Sequence, residues 1–188
     1  MESTIYRLKV TLRGSRPPIW RRIEVRSDIT LFQLHDVIQL AMGWTNSHLH
    51  QFRRGSTYYG PANLDLDMPQ QNEKRVRLNG VLRKPKDRMA YEYDFGDGWE
   101  HDVVLERSTA GLPDAPQVCV IGGKGACPPE DVGGIGGYYG FLEVVKDPAH
   151  PEHDDMLEWC GDAFNPDAFD FEEVNKYFRA RTRRRKDA

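Results

Sequence analysis

Tyr91-Glu92-Tyr93-Asp94-Phe95-Gly96-Asp97-Gly98-Trp99-Glu100-His101 alternates apolar and acidic side chains on both sides of a Gly-Asp-Gly turn. That is the pattern of two antiparallel strands meeting in a short hairpin loop. With Phe95 set opposite Trp99, Asp94 falls opposite Glu100, Tyr93 opposite His101, and Glu92 opposite Asp102. Four carboxylates then share one face as two facing like-charge pairs, each pair costing roughly 0.2–1 kcal/mol. Such a face requires a cation: arginines from the first hairpin, a metal ion or a basic partner. His101 lies on the opposite, apolar face with Trp99, Val103 and Leu105, where Tyr93 is its expected hydrogen-bond partner. A one-residue slip of register would dismantle the cluster.

Working outward, Tyr6, Leu8, Val10 and Leu12 alternate with Arg7, Lys9, Thr11 and Arg13, which reads as a half-buried strand. Gly14 to Pro18 turns the chain, and Ile19, Ile23 and Val25 continue a second strand. Thr30 and Gln33 fit a capping box ahead of the helical stripe Leu31, Leu34, Ile38 and Ala41, with Gly43 as the stop. Strand–strand–helix is the opening of a β-grasp arrangement, and further strands are predicted at about 48–54, 74–79, 89–95 and 99–106. After Arg107 the chain turns rich in Gly and Pro, and helices are expected at about 137–146, 151–160 and from Asp170, where Asp170 and Glu173 offer a second capping box. The expected fold is α+β: a β-grasp-like mixed sheet, one main packed helix and a C-terminal helical portion. It forms one domain over residues 1–178, followed by a basic tail over 179–188.

The 188 residues carry a net charge of −3, distributed unevenly. Residues 1–60 hold nine Lys/Arg against four Asp/Glu, residues 111–178 hold three against fourteen, and six of the last ten residues are basic. A basic half packing on an acidic half explains such blocks as well as an external partner does. No apolar run approaches the roughly 18–20 residues needed to cross a bilayer, and Met1-Glu2-Ser3-Thr4 lacks the plan of a signal peptide. The three cysteines show no CxxC spacing. The chain is therefore read as cytoplasmic, away from membranes, with reduced thiols.

Several residues could carry chemistry. His48 and His50 would point to one side of a strand, a spacing that holds a metal through two imidazoles when carboxylates complete the set. His48, His50, Asp94 and Glu100 are the candidate ligands of a divalent metal, with His35 nearby on the helix. Asp94, Asp97, His101, Glu130 and Asp131 are the candidate acid–base groups, and Arg21, Arg22, Tyr93 and Trp99 the candidate ligand-binding residues. Gly133-Gly134-Ile135-Gly136-Gly137 precedes a helix and could present backbone N–H groups to an anion, although it matches no phosphate-loop pattern. The arginines of the tail could touch nucleic-acid phosphates.

Taken in order, Pro17-Pro18-Ile19-Trp20-Arg21-Arg22-Ile23, Leu34-His35-Asp36-Val37-Ile38-Gln39, Gly43-Trp44, His48-Leu49-His50-Gln51-Phe52, the stretch 91–101, Cys127-Pro128-Pro129-Glu130-Asp131-Val132-Gly133-Gly134 and Gly137-Tyr138 form one set. The set resembles the plasmid pRiA4b ORF-3-like family, whose members include passenger proteins of some insertion elements. The resemblance spans about residues 4 to 178. It implies one α+β domain and an association with plasmids and mobile elements, and it brings no reaction and no catalytic residues. Some members carry a resolvase-like name, but no serine-recombinase pattern is present here. Two functions follow as expectations. One is a binding module, a DNA-associated accessory protein or a protein partner, resting on the basic hairpin and tail. The other is a metal-dependent hydrolase using a His/Asp site near the hairpin 91–106.

Overall fold

The computed structural model describes residues 4–62, 69–111, 117–161 and 163–186, with side chains through position 180. Alternation of apolar and polar residues produces the first two strands, β1 (Thr4–Leu12) and β2 (Trp20–Arg26), paired antiparallel with Leu8 opposite Ile23. The helix α1 (Leu31–Met42) follows. Its capping box forms as expected: Thr30 Oγ1 accepts from Gln33 N at 3.2 Å while Gln33 Oε1 accepts from Thr30 N at 2.9 Å. Gly43 ends the helix at φ 110°, a left-handed conformation that a side chain would resist.

The remaining strands are β3 (His50–Arg54), β4 (Thr57–Gly60), β5 (Gln70–Asn72), β6 (Arg88–Tyr93), β7 (Trp99–Ala110) and β8 (Val118–Lys124). They assemble into one eight-stranded mixed sheet in the order β5-β4-β3-β6-β7-β1-β2-β8, in which only β4 and β5 run parallel. The strand–strand–helix opening is shared with β-grasp folds; beyond it the sheet is larger, and β1 runs antiparallel to both neighbours.

Four elements differ from expectation. Residues 74–79 form no strand: Asn72 caps a 3₁₀ turn at Glu73–Arg75 and the short helix α2 (Leu78–Val81) follows. The alternation around Val76 instead serves a single bridge between Thr30 and Arg77. β8 forms within the Gly/Pro-rich region, and β4 and β5 were not foreseen at all. The last three helices are α3 (Gly134–Lys146), α4 (His153–Cys160) and α5 (Phe171–Lys186). Asp170 Oδ1 caps α5 by accepting from Glu172 N and Glu173 N, and the helix runs on past position 178 into the basic stretch that starts at Arg179.

The core lies between one face of the sheet and the helices. Leu8, Val10, Ile23, Leu105, Tyr91 and Trp99 meet Leu31, Leu34 and Ile38 of α1, all fully buried, with Phe141 of α3 and Phe178 of α5 joining the same cluster. Arg21 also lies on this face, 1 % exposed, because Ile23 and Val25 fix the parity of β2. Its guanidinium donates to Ala41 O at the C-terminal end of α1 (2.8 Å) and to Trp20 O and Lys124 O, and it stacks on Phe169. Burial lowers its pKa to about 10, and the helix dipole favours a cation at this end. Along the edge strand β8, Asn175 of α5 donates to Val120 O at 2.8 Å and accepts from Val120 N at 2.9 Å, standing in for a neighbouring strand. Cys119 and Cys127 are free thiols. Among the described residues no helix is long and apolar enough to cross a membrane.

Candidate functional site

The hairpin of β6 and β7 pairs Tyr93 with Trp99, Glu92 with Glu100, Tyr91 with His101 and Ala90 with Asp102. This register is shifted by two residues from the expected one. Since a shift of two keeps every side chain on its face, the acidic and apolar faces survive and only the partners change. The loop is longer than foreseen because Asp94 leaves the strand. Its backbone takes φ 57°, its N–H donates to Leu49 O beside it, and its Oδ1 accepts from Gly96 N at 3.0 Å, an Asx turn.

The acidic face is held by the chain itself. Arg13 spans Glu100 (2.6 Å) and Asp102 (2.7 Å), and its hydrogen bond and charge hold the Asp102 carboxyl below the usual range. Arg22 grips Glu106 through two bonds of 2.7 and 2.9 Å, and Gln51 donates to Glu92. Glu100 is thus an arginine partner, lying with Glu92 and Asp102 on the ion-paired face of the sheet.

On the other face His101 is completely buried. Its ring stands edge-on to Trp44 at 5.4 Å and tilted to Tyr91 at 5.5 Å. Neither ring nitrogen makes a well-formed hydrogen bond, and burial lowers its pKa to about 4. The expected Tyr93 partnership does not form: the Tyr93 hydroxyl sits at the sheet end, accepting from Ser47 N (3.0 Å) and His48 N (3.3 Å) and donating to Glu130. Trp99 is fully buried in the same aromatic group.

His50 also separates from the other candidate ligands. Its Nε2 lies 2.8 Å from the buried Glu73 carboxylate, and its ring stacks on His35 with centroids 3.4 Å apart. The Glu73 partner carries no local sequence signal, since it comes from the turn after β5.

What converges is the end of the hairpin with two loops, residues 43–49 and 125–133. Trp44 Nε1 donates to Pro128 O at 3.1 Å, and Thr45 N and Oγ1 donate to Glu130, so the loops are pinned together. Asp97 Oδ2 accepts from Gly133 N at 3.2 Å, at the N-terminal end of α3, so the anion at this glycine run is the chain's own carboxylate. Gly134, at φ 66°, lies so close that a Cβ there would meet Asp97 O at 2.3 Å.

In the angle between these segments stand His48, Asp94 and Asp131, with one ligand atom of each within 4.8 Å of the others. His48 Nδ1 is 3.7 Å from Asp94 Oδ2, and His48 Nε2 is 3.2 Å from Asp131 Oδ1. That Nε2 atom is shielded from solvent, yet it is out of line for a hydrogen bond with Asp131 and has no other partner. Asp94 is buried, His48 half-buried and Asp131 exposed, so the cluster opens to solvent on the Asp131 side. Asp94 and Asp131 (φ 60°) and the adjacent Asn46 (φ 61°) all adopt left-handed backbone, which Asp and Asn reach more readily than other non-glycine residues. Such conformations concentrate at functional sites. One imidazole nitrogen and two carboxylates form a ligand set suited to Mn²⁺, Fe²⁺ or Zn²⁺.

The comparisons with known proteins cover nearly the whole chain. A family model described as plasmid pRiA4b ORF-3-like protein matches residues 4–173. The chain is 40% identical over 179 residues to the uncharacterized protein y4hQ of Sinorhizobium fredii, covering 94% of this chain and 91% of that one. It also resembles the crystal structure of MM3350, a protein of unknown function from Methanosarcina mazei Go1, with a TM-score of 0.84 and 36% identity over 93% of this chain and 99% of the other. The chain belongs to the plasmid pRiA4b ORF-3-like protein family.

Proposed function

We propose that this protein binds a divalent metal ion through His48, Asp94 and Asp131 and uses it in a hydrolytic reaction. The observation that carries this reading is the convergence of His48 with Asp94 and Asp131, in which His48 Nε2 is shielded from solvent and makes no hydrogen bond although Asp131 Oδ1 lies 3.2 Å away. A buried polar atom without a hydrogen bond costs up to about 1–3 kcal/mol, a cost that a bound cation would remove. Three protein ligands leave coordination positions open, as catalytic rather than closed structural sites do. A metal in such a site lowers the pKa of bound water and supplies a nucleophile near neutral pH.

The chain's own residues supply the rest. Asp94 divides its carboxylate, Oδ1 fixing the hairpin turn and Oδ2 facing His48. Glu130 is held by Tyr93 and Thr45, which suits it to anchoring the loop that carries Asp131. Asp131, with 70 % of its side chain exposed, is the ligand nearest bulk solvent and so to an incoming substrate.

The DNA-associated reading has weaker support. Arg7, Arg13, Arg22 and Arg26, which gave the first hairpin its basic appearance, are each ion-paired to Glu24, Glu100 and Asp102, Glu106 and Asp28. Phosphate binding would have to break those pairs.

Thermal-shift titration with Mn²⁺, Zn²⁺ and Mg²⁺, followed by assay of generic phosphate and carboxylate esters with the stabilising ion, tests the proposal. Stabilisation and turnover that His48→Ala abolishes are expected. No shift with any of the three ions would overturn metal binding; a shift without turnover would overturn the hydrolytic part alone.

A further inference from the structure

Behind His48 lies a closed circuit of hydrogen bonds. Gln39 Nε2 donates to the Tyr91 oxygen at 2.9 Å, and that hydroxyl lies 2.8 Å from His35 Nδ1. His35 Nε2 lies 2.7 Å from Asn46 Oδ1, and Asn46 N donates back to Gln39 Oε1 at 3.1 Å. The amide oxygen of Asn46 can only accept, so His35 carries its proton on Nε2. Nδ1 is then the acceptor for the Tyr91 hydroxyl, and each donor in the circuit has one acceptor. His35 and Tyr91 are buried to 1% and 0% exposure, within a rigid frame of α1 and β6.

Asn46 is the one member of the circuit outside that frame. It sits two residues before His48, in left-handed backbone. The next two backbone N–H groups, of Ser47 and His48, are taken by the Tyr93 hydroxyl. The loop therefore has two successive attachments, His35 and Gln39 to Asn46, then Tyr93 to His48. Together they fix where the His48 imidazole leaves the backbone.

Resting on the metal reading above, we infer that His35 is a positioning residue. Through Asn46 it sets the placement of His48 and so the affinity of the His48–Asp94–Asp131 cluster for its ion. Groups hydrogen-bonded directly to a metal ligand are typically worth about 10–100-fold in affinity, and His35, which acts one step further back through Asn46, is expected at the lower end.

The test uses the full chain and three forms: wild type, Asn46→Gly and Asn46→Asp. Glycine keeps the left-handed backbone and deletes the bond to His35, whereas aspartate keeps an oxygen acceptor at the same place and tolerates the conformation. Mn²⁺ affinity by calorimetry is expected to fall about 10-fold or more in Asn46→Gly and to return to the wild-type value or better in Asn46→Asp. A ring ¹H–¹⁵N correlation spectrum reads His48 without any metal. Asn46→Gly should shift or broaden the His48 signals while leaving those of the distant His150 unchanged. His48 signals unaltered by Asn46→Gly would overturn the positioning role whatever the metal result, as would, with a wild type that binds Mn²⁺, an affinity unaltered in Asn46→Gly. A wild type that binds no Mn²⁺, with His48 displaced in Asn46→Gly, would overturn the metal reading and leave the positioning role standing.

Discussion

Arg13 lies across the sheet end from Glu100, with its Nη1 2.6 Å from the carboxylate while its other terminal nitrogen holds Asp102. This pairing supplies the cation that the acidic face of the hairpin requires. The metal site is therefore separate from that face, and the two can be perturbed independently. Arg13→Leu is expected to destabilise the fold by about 1 kcal/mol, the scale of a half-exposed paired network. The effect should shrink in 1 M salt, and Mn²⁺ affinity should stay within about 2-fold of wild type. Urea denaturation at two salt concentrations, with a parallel metal titration, checks all three; a collapse of metal affinity in Arg13→Leu would mean that the two faces are coupled.

Stability should depend on pH through two buried histidines. Burial lowers His101 to about 4, and burial together with the neighbouring His50 lowers His35 to about 3. Both folded values lie below the ordinary value of about 6.5 kept in the unfolded chain. Their contribution is thus complete above about pH 6.5 and is lost as pH falls toward 4, because the unfolded chain takes up protons first. Between pH 6 and 5 each group contributes up to about 1.4 kcal/mol per pH unit. Urea denaturation across this window should give a steep slope in wild type and a shallower one in His101→Phe. Equal slopes would contradict the assignment of His101 as a neutral, buried group.

Asn175 closes the free edge of β8 by bonding both the N–H and the C=O of Val120. Removing it leaves two buried backbone groups unpaired, at about 1–3 kcal/mol each, and uncovers a strand edge open to pairing with a second molecule. Asn175→Leu is expected to lower stability by about 2–4 kcal/mol and to promote self-association, read by urea midpoint and light scattering. A variant as stable and as monodisperse as wild type would show that the edge needs no cover.

The extent to which the sequence revealed this molecule follows from the range of each signal. Local signals were readable: the capping box at Thr30, the Gly43 stop, the alternation of β1 and both faces of the 91–106 hairpin. Its register was not, because Asp94 spends its side chain on the turn and lengthens the loop. Arg21 reads as a surface residue by type, yet the parity of Ile23 and Val25 already places it inside. At the site, His48, Asp94 and Asp131 each stood among the candidates, but their convergence depends on contacts between distant segments. Trp44 to Pro128 and Thr45 to Glu130 are of this kind. The same holds for the loss of His50 to Glu73, and for Asn46 and Gln39, which have no chemical signature of their own.

The most direct test of the central claim is a Co²⁺ titration of the purified chain followed by visible absorption, since Co²⁺ reports its ligands through d–d bands. One equivalent should saturate the bands in wild type. His48→Ala and Asp131→Asn should weaken binding by at least about 10-fold, the lower end for altered metal environments, and Glu100→Gln should leave it unchanged. No band in wild type, or equal saturation in His48→Ala, would contradict a metal site at His48, Asp94 and Asp131.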